Sequence, residues 1–264
     1  MKRIFTIFYL LVAVVARGQN KDLLFGKTAD EIKPKSGFIL CGNADFDIPG
    51  ADMAKRFGLS YREGPGVLYK STKNWMFGAK FDFINGDKVH QDSLMINIKD
   101  AYSASGTGLY EFINNSGQRI GVPVYERGYA VGLSAGKLIP FNKLHPDNGV
   151  MVLTSAGFLQ HKLDIYVKDK DVPELSSAYI KGYDRLTNGF FAEQYVGYIY
   201  FSKYKLINFT LGLDGLFGFT QGRRTYLYDV MHSDAGQRLD ILYGLRAGWF
   251  IPVFRHKSED MLFD

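Results

Sequence analysis

The chain has almost no cysteine and little histidine. Cys41 is the single cysteine among 264 residues, which excludes the intrachain disulfide framework that many secreted domains use. The five histidines form no spacing with Cys, Asp or Glu that resembles a metal site. Past the amino-terminal region no run reaches the ~18 apolar residues of a membrane helix. We therefore expect no cofactor, no metal and no helical membrane anchor.

The chain also has little excess of one charge over the other, since the net charge is only +5. For an exported chain this balance does not indicate nucleic acid as a partner. Anionic lipid headgroups, including lipopolysaccharide, and other envelope proteins are the partners we expect.

The first 18 residues have the pattern of a secretory signal peptide. Lys2 and Arg3 precede a short apolar stretch at 4–15, and Ala16 and Gly18 supply the small residues that a signal peptidase reads. The apolar stretch is too short to span a bilayer, which takes about 20 residues. We expect cleavage after residue 18, followed by a polar periplasmic lead-in at 19–36.

The segment 239–253 alternates between two kinds of residue. Its odd positions are apolar or aromatic, and most of its even positions are small, polar or charged. A period of two indicates a strand, and this one is longer than the usual 5–6 residues or so. An apolar face backed by a polar face is typical of a barrel wall that faces lipid.

Eight such segments follow one another along the chain. They lie at 37–47, 57–70, 75–84, 125–139, 150–167, 190–201, 206–221 and 239–253. Short connections alternate with long ones, as they do between the periplasmic and outer sides of bacterial outer-membrane barrels. The sequence predicts an eight-stranded antiparallel up-and-down transmembrane β-barrel over 37–256, with a short periplasmic tail at 257–264. The alternative is a two-sheet sandwich, which should have shorter strands.

Charged residues occupy the predicted inner face of the barrel. An eight-stranded barrel is just wide enough for its own side chains, and a lone buried charge costs several kcal/mol. We therefore expect charges of both signs to pair and to plug the lumen, so that no channel conducts. The predicted lumen network is Asp45, Arg62, Lys80, Asp82, Glu126, Glu193, Asp214 and Arg246.

Two of the long loops are candidates for docking a partner. Tyrosine and arginine dominate binding hot spots, and both residue types occur in 168–189 and 222–237. These loops can equally be plain solvated loops. The predicted docking residues are Lys181, Tyr183, Asp184, Arg185, Arg223, Arg224 and Tyr226.

Lipid-modifying barrel enzymes are the main alternative class. They need a base and a nucleophile near the outer rim. His161 and Ser155, which we expect to face outward with Asp164 nearby, lie six residues apart and cannot form a dyad by themselves, because that spacing is about 20 Å along a strand. No triad is evident, so we predict that the protein is not an enzyme. A small solute channel is the third interpretation.

Three stretches carry a resemblance to a known family: TKNWMFG at 72–78, KGYDRLTNG at 181–189 and GLRAGWFIP at 244–252. The chain resembles a family of small outer-membrane barrels of Bacteroidota, and distantly the barrel associated with type IX secretion and gliding machinery. The resemblance implies a scaffold or docking role for a protein secretion machine. It implies no particular functional residue.

Overall fold

The structure is a computed structural model, and it describes residues 34–91, 93–99, 108–167, 172–202 and 207–254. The predicted signal peptide, most of the lead-in and the predicted tail lie outside these residues. The strands are β1 (Gly37–Gly50), β2 (Ser60–Lys70), β3 (Trp75–Gly86), β4 (Leu109–Ile113), β5 (Arg119–Pro140), β6 (Gly149–Ile165), β7 (Thr187–Tyr200), β8 (Phe209–Gly222) and β9 (Gln237–Phe254). Two single-turn helices, α1 (Ala51–Ala54) and α2 (Ser177–Ile180), and a 3₁₀ turn (Pro173–Leu175) lie in connections. Within the described residues, no helix is long and apolar enough to cross a membrane.

The strands close into a barrel of eight. The order around the barrel is β1-β2-β3-β5-β6-β7-β8-β9, and every neighbouring pair is antiparallel. Strand β9 returns to pair with the whole length of β1. Strand β4 pairs with the first residues of β5 and forms a hairpin with them. Because the hydrogen bonding closes on itself, the barrel prediction is confirmed and the two-sheet sandwich is excluded.

The alternation of side chains is confirmed most clearly in β9. Tyr243, Leu245 and Trp249 are exposed on the outside, whereas Asp240 and Arg246 are buried inside. Outward aromatic side chains also pair across strands, as Phe46 and Tyr61 do with ring centroids 5.2 Å apart. Such an apolar outer surface is suited to lipid.

The predicted strand boundaries agree with the structure to within about four residues, except at the start of β5. This strand begins at Arg119, six residues earlier than predicted, because its first part continues beyond the barrel to pair with β4. The long connection from β3 to β5 is therefore partly a hairpin.

The two ends of the barrel differ. We call the end at which β2 leads to β3, β5 to β6 and β7 to β8 the turn end, and the end with α1, β4 and α2 the loop end. The connections at the loop end share one hydrophobic cluster with the upper barrel wall, which we call the apolar cap. Its most deeply buried members from the connections are Met53, Phe57, Val89, Leu94 and Met95.

Candidate functional site: the filled lumen and its cap

The centre of the lumen is filled by a network of charged side chains around Arg62. This fully buried arginine donates from Nε and Nη2 to both carboxylate oxygens of Asp47, at 2.6 and 3.0 Å. Its Nη2 also donates to Asp214 Oδ1 at 2.5 Å, and its Nη1 to Glu193 Oε1 at 2.8 Å. One guanidinium therefore joins side chains from β1, β2, β7 and β8.

Glu193 is the second hub of this network. Besides Arg62, it accepts hydrogen bonds from Lys80 Nζ at 2.5 Å and from Arg246 Nη2 at 2.7 Å. Arg246 also donates from Nε to Asp45 Oδ1 at 2.7 Å. Three cations from three strands thus converge on one carboxylate of β7.

The network contains seven of the eight predicted lumen charges. Glu126 is buried too, but it accepts a 2.5 Å hydrogen bond from Ser60 Oγ and makes no contact with the lysine or either arginine. Asp47 joins the network, although the sequence reasoning did not include it. Asp47 lies two residues after Asp45 on β1 and therefore faces the same side of the strand, which is the signal that could have identified it.

Opposite charges are needed here because removing a charged group from water costs several kcal/mol even after relaxation. Carboxylate oxygens of Asp45, Asp47 and Asp214 approach within 4.8 Å of one another. Arg62 contacts all three groups, the longest contact being 3.7 Å to Asp45. The guanidinium thus supplies the positive charge that such an acidic group requires.

Below the network, the turn end of the lumen is apolar. Ile39, Met76, Leu138 and Phe250 are almost fully buried there. A cavity of about 40 Å³ separates this layer from Lys80 and Arg246. It has room for only a few water molecules, since one needs about 10–15 Å³.

Above the network, a polar group around Asp240 lies beneath the apolar cap. Asp240 Oδ2 accepts a hydrogen bond from Thr220 Oγ1 at 2.5 Å and lies 2.9 Å from His161 Nε2, while its Oδ1 accepts from Arg56 Nη2 at 2.9 Å. Burial lowers the pKa of Arg56, and the charge of Asp240 acts in the opposite direction. Arg56 belongs to the connection after α1, so this ion pair ties the cap to the barrel wall.

The expectation that His161 and Ser155 face outward is wrong. Both are buried in the lumen, and Ser155 Oγ hydrogen-bonds Ser134 Oγ at 2.8 Å. Asp164 pairs with Lys162 and makes no pair with His161. The odd positions of β6 point inward because Leu153, Leu159 and Leu163 pack into the apolar layers at the two ends of the lumen.

The predicted docking residues divide into two groups. Tyr183 and Asp184 are buried. The carboxylate of Asp184 accepts two hydrogen bonds from Arg224, one from Nη2 and one from Nε at 2.7 Å. This hydrogen bonding to Asp184 raises the pKa of Arg224. Arg185 pairs with Asp229, so these residues hold the two loops together. The exposed members are Lys181, Arg223 and Tyr226.

A cluster of tyrosines also joins these two loops. The ring of Tyr228 lies 5.6 to 6.1 Å from the rings of Tyr179, Tyr183 and Tyr226. Tyr179 and Tyr226 are about half exposed. Lys181 and Arg223 are exposed cations of the same two loops. We call the set of these four exposed residues, Tyr179, Lys181, Arg223 and Tyr226, the cap face.

Comparisons with known proteins give weak similarities to solved structures. No protein-family model matches the sequence, and no curated protein matches it. Among solved structures, the chain is similar to Neisserial surface protein A, with a TM-score of 0.44 and 10% identity over 84% of this chain and 100% of that one. Ail, the attachment invasion locus protein of Yersinia pestis, solved with the heparin analogue sucrose octasulfate, gives a TM-score of 0.38 and 11% identity over 83% and 100% of the two chains. The outer membrane protein OprG from Pseudomonas aeruginosa gives a TM-score of 0.34 and 10% identity over 84% of this chain and 98% of that chain. These similarities concern the fold alone.

Proposed function

We propose that this protein is a non-enzymatic outer-membrane barrel that docks another envelope protein on its cap face. The observation that carries the proposal is a set of exposed aromatic and cationic side chains above a filled lumen. The pair of Asp184 with Arg224 and the packing around Tyr228 fix the two loops that present it.

The chemistry of the cap face favours a protein partner. Tyr179 and Tyr226 offer large amphipathic rings, and Lys181 and Arg223 offer cations for an acidic rim. Aromatic residues and arginine are enriched in the centres of protein interfaces. The sequence resemblance makes a protein secretion machine the first assembly in which to look for the partner.

The two other functions are less well supported. A lipid-modifying enzyme would need an accessible base, but His161 is fully buried and engaged with Asp240. A solute channel would need a continuous passage, but Arg62 and Glu193 meet across the lumen.

The proposal is tested by cross-linking a tagged copy at native expression level and quantifying what co-purifies by mass spectrometry. The test variant combines Tyr179→Ala, Arg223→Ala and Tyr226→Ala. The control combines Ser116→Ala with Gln118→Ala, which are exposed at the tip of the β4–β5 hairpin. We expect a stoichiometric envelope protein with wild type and control and about a tenfold loss with the test variant, as for about 1.4 kcal/mol of binding energy. Equal recovery from all three, or lipopolysaccharide as the only bound species, would overturn the proposal.

A further inference from the structure

A carboxylate lies on the outer, lipid-facing wall of the barrel. On β2 the side chains of Arg62 and Leu68 are buried, whereas Tyr61, Glu63 and Val67 are exposed on the outside. Glu63 therefore lies on the outer face between two apolar side chains of its own strand. An ionisable group at such a position is costly and is a candidate functional site.

The neighbours of Glu63 on the adjacent strands are apolar as well. Its register partners are Ala44 on β1 and Phe83 on β3, and Phe83 is half exposed. The next outward residue of β1, Phe46, is 63% exposed. Glu63 is thus inside the apolar band and not at its polar margin.

The side chain of Glu63 makes no hydrogen bond or ion pair with any residue that the structure describes. Another outward polar pair provides a contrast, since Thr154 Oγ1 donates to Gln194 Oε1 at 2.8 Å. Gln194 Nε2 in turn donates to the carbonyls of Leu153 and Tyr195 at 3.2 and 3.1 Å. That pair on β6 and β7 is satisfied within its own wall, and Glu63 is not.

The side chains next to Glu63 on the outer face of the barrel are small. Ala44 pairs with Ala247, and Gly42 pairs with both Pro65 and Trp249. A Cβ added at Gly42 would meet no heavy atom within 4 Å. These small side chains lie in a shallow groove on the outer face of β1, β9 and β8. Glu63 lies next to the groove, on the neighbouring strand opposite Ala44. Small residues let a second backbone approach closely within a membrane.

We propose that this groove binds a membrane-embedded segment of another outer-membrane protein, and that the segment donates a hydrogen bond or a positive charge to Glu63. A second copy of the chain fits less well. A twofold contact centred on Glu63 would bring the carboxylates of the two copies together, and like charges at short distance disfavour each other. This surface is separate from the cap face and goes beyond the docking function proposed above.

The test is photo-cross-linking in the native membrane from a benzophenone amino acid that replaces Phe46. The matched control replaces Phe190, which is 76% exposed on β7. We expect a discrete protein adduct from position 46 and none from position 190. The cross-linked peptide should lie in a membrane-spanning segment of the partner and carry Lys, Arg, Asn, Gln, Ser or Thr.

The dependence on Glu63 decides the result. Glu63→Leu should reduce the adduct at least about fivefold, the loss expected for roughly 1 kcal/mol, whereas Glu63→Gln should retain part of it because an amide still accepts a hydrogen bond. Gln194→Leu should leave the adduct unchanged, and the gel mobility of the unheated barrel shows that each variant folds. Adducts with lipid only, an adduct with a second copy, or an adduct unchanged by Glu63→Leu would each overturn the proposal. The adduct should also form in the variant that combines Tyr179→Ala, Arg223→Ala and Tyr226→Ala. The groove proposal and the cap-face proposal can therefore fail independently of each other.

Discussion

Arg62 and Glu193 hydrogen-bond across the full width of the lumen. Arg62 Nη1 lies 2.8 Å from Glu193 Oε1, although the two residues are 131 positions apart. Their strands, β2 and β7, are diametrically opposite in the order of the eight-stranded barrel. Both side chains are buried, and Lys80 and Arg246 also donate hydrogen bonds to Glu193, so charged side chains fill the lumen at this level.

Replacing Arg62 with leucine should destabilise the barrel strongly. The substitution leaves Asp47, Asp214 and Glu193 with less positive charge in a buried site, and breaking a buried ion pair in this way costs about 3–5 kcal/mol. The measurement is urea unfolding in lipid vesicles, followed by the gel mobility of the folded form. Arg223→Leu, at an exposed loop arginine, should change stability by about 0.5 kcal/mol or less. Equal unfolding midpoints for the two variants would contradict the role assigned to Arg62.

Asp240→Ala should loosen the attachment of the cap to the barrel. Arg56, which is 4% exposed, would lose its ion-pair partner, and His161 and Thr220 would lose their hydrogen bonds. We expect faster hydrogen exchange in residues 51–59, with an opening free energy lower by about 3 kcal/mol. Asp240→Asn should have a smaller effect, since its amide oxygen still accepts a hydrogen bond. Unchanged exchange in Asp240→Ala would show that another contact holds this segment.

Arg224→Ala should separate the two loops of the cap face without unfolding the barrel. The buried carboxylate of Asp184 would lose two charge-assisted hydrogen bonds, a loss worth about 1–3 kcal/mol. Limited proteolysis of the intact barrel should then cut within 172–186 or 223–236 more rapidly than in wild type. The comparison is Arg223→Ala, which removes a single side-chain hydrogen bond to Asn188. Similar cleavage of both variants would argue against a special role for the Asp184–Arg224 pair.

Gly182→Val should disturb the cap face through Tyr228. A Cβ at Gly182 would lie 2.1 Å from the Tyr228 ring, so the ring must move. The same change would strain the backbone bond from Tyr228 N to Gly182 O, which is 3.0 Å long. We expect partner recovery to fall while the barrel remains folded. Gly236→Val, where an added Cβ meets no atom within 4 Å, should leave partner recovery at the wild-type level. A loss of recovery in both variants would contradict a specific role for the contact between Gly182 and Tyr228.

Most of the barrel could be predicted from the sequence because alternation is a local property. In β9 the residues that face lipid are mostly apolar, and the inner face carries Asp240 and Arg246, so the alternation indicates the two sides of the strand. The rule failed for His161 because most of the inner face of β6 is apolar. Near both ends its walls are apolar, so the leucines of β6 point inward with His161 and the residue types no longer identify the outer face.

The candidate sites depend on contacts that no local pattern contains. Arg224 and Tyr183 are typical docking residues in sequence, but Arg224 pairs with Asp184 and Tyr183 is buried against Tyr228. Glu63 is inconspicuous in sequence, and its interest appears only when Ala44 and Phe83 are seen beside it on the outer wall.

The most direct test of the closed lumen is single-channel recording of the purified, folded protein in a planar lipid bilayer. With Arg62 and Glu193 joined across the lumen, we expect no conductance above the bilayer leak for wild type. The double variant Arg62→Ala with Arg246→Ala, which removes both arginines from the network, serves as the opened comparison if it folds. A stable single-channel conductance of the wild-type protein would contradict the closed lumen and would favour a small solute channel instead.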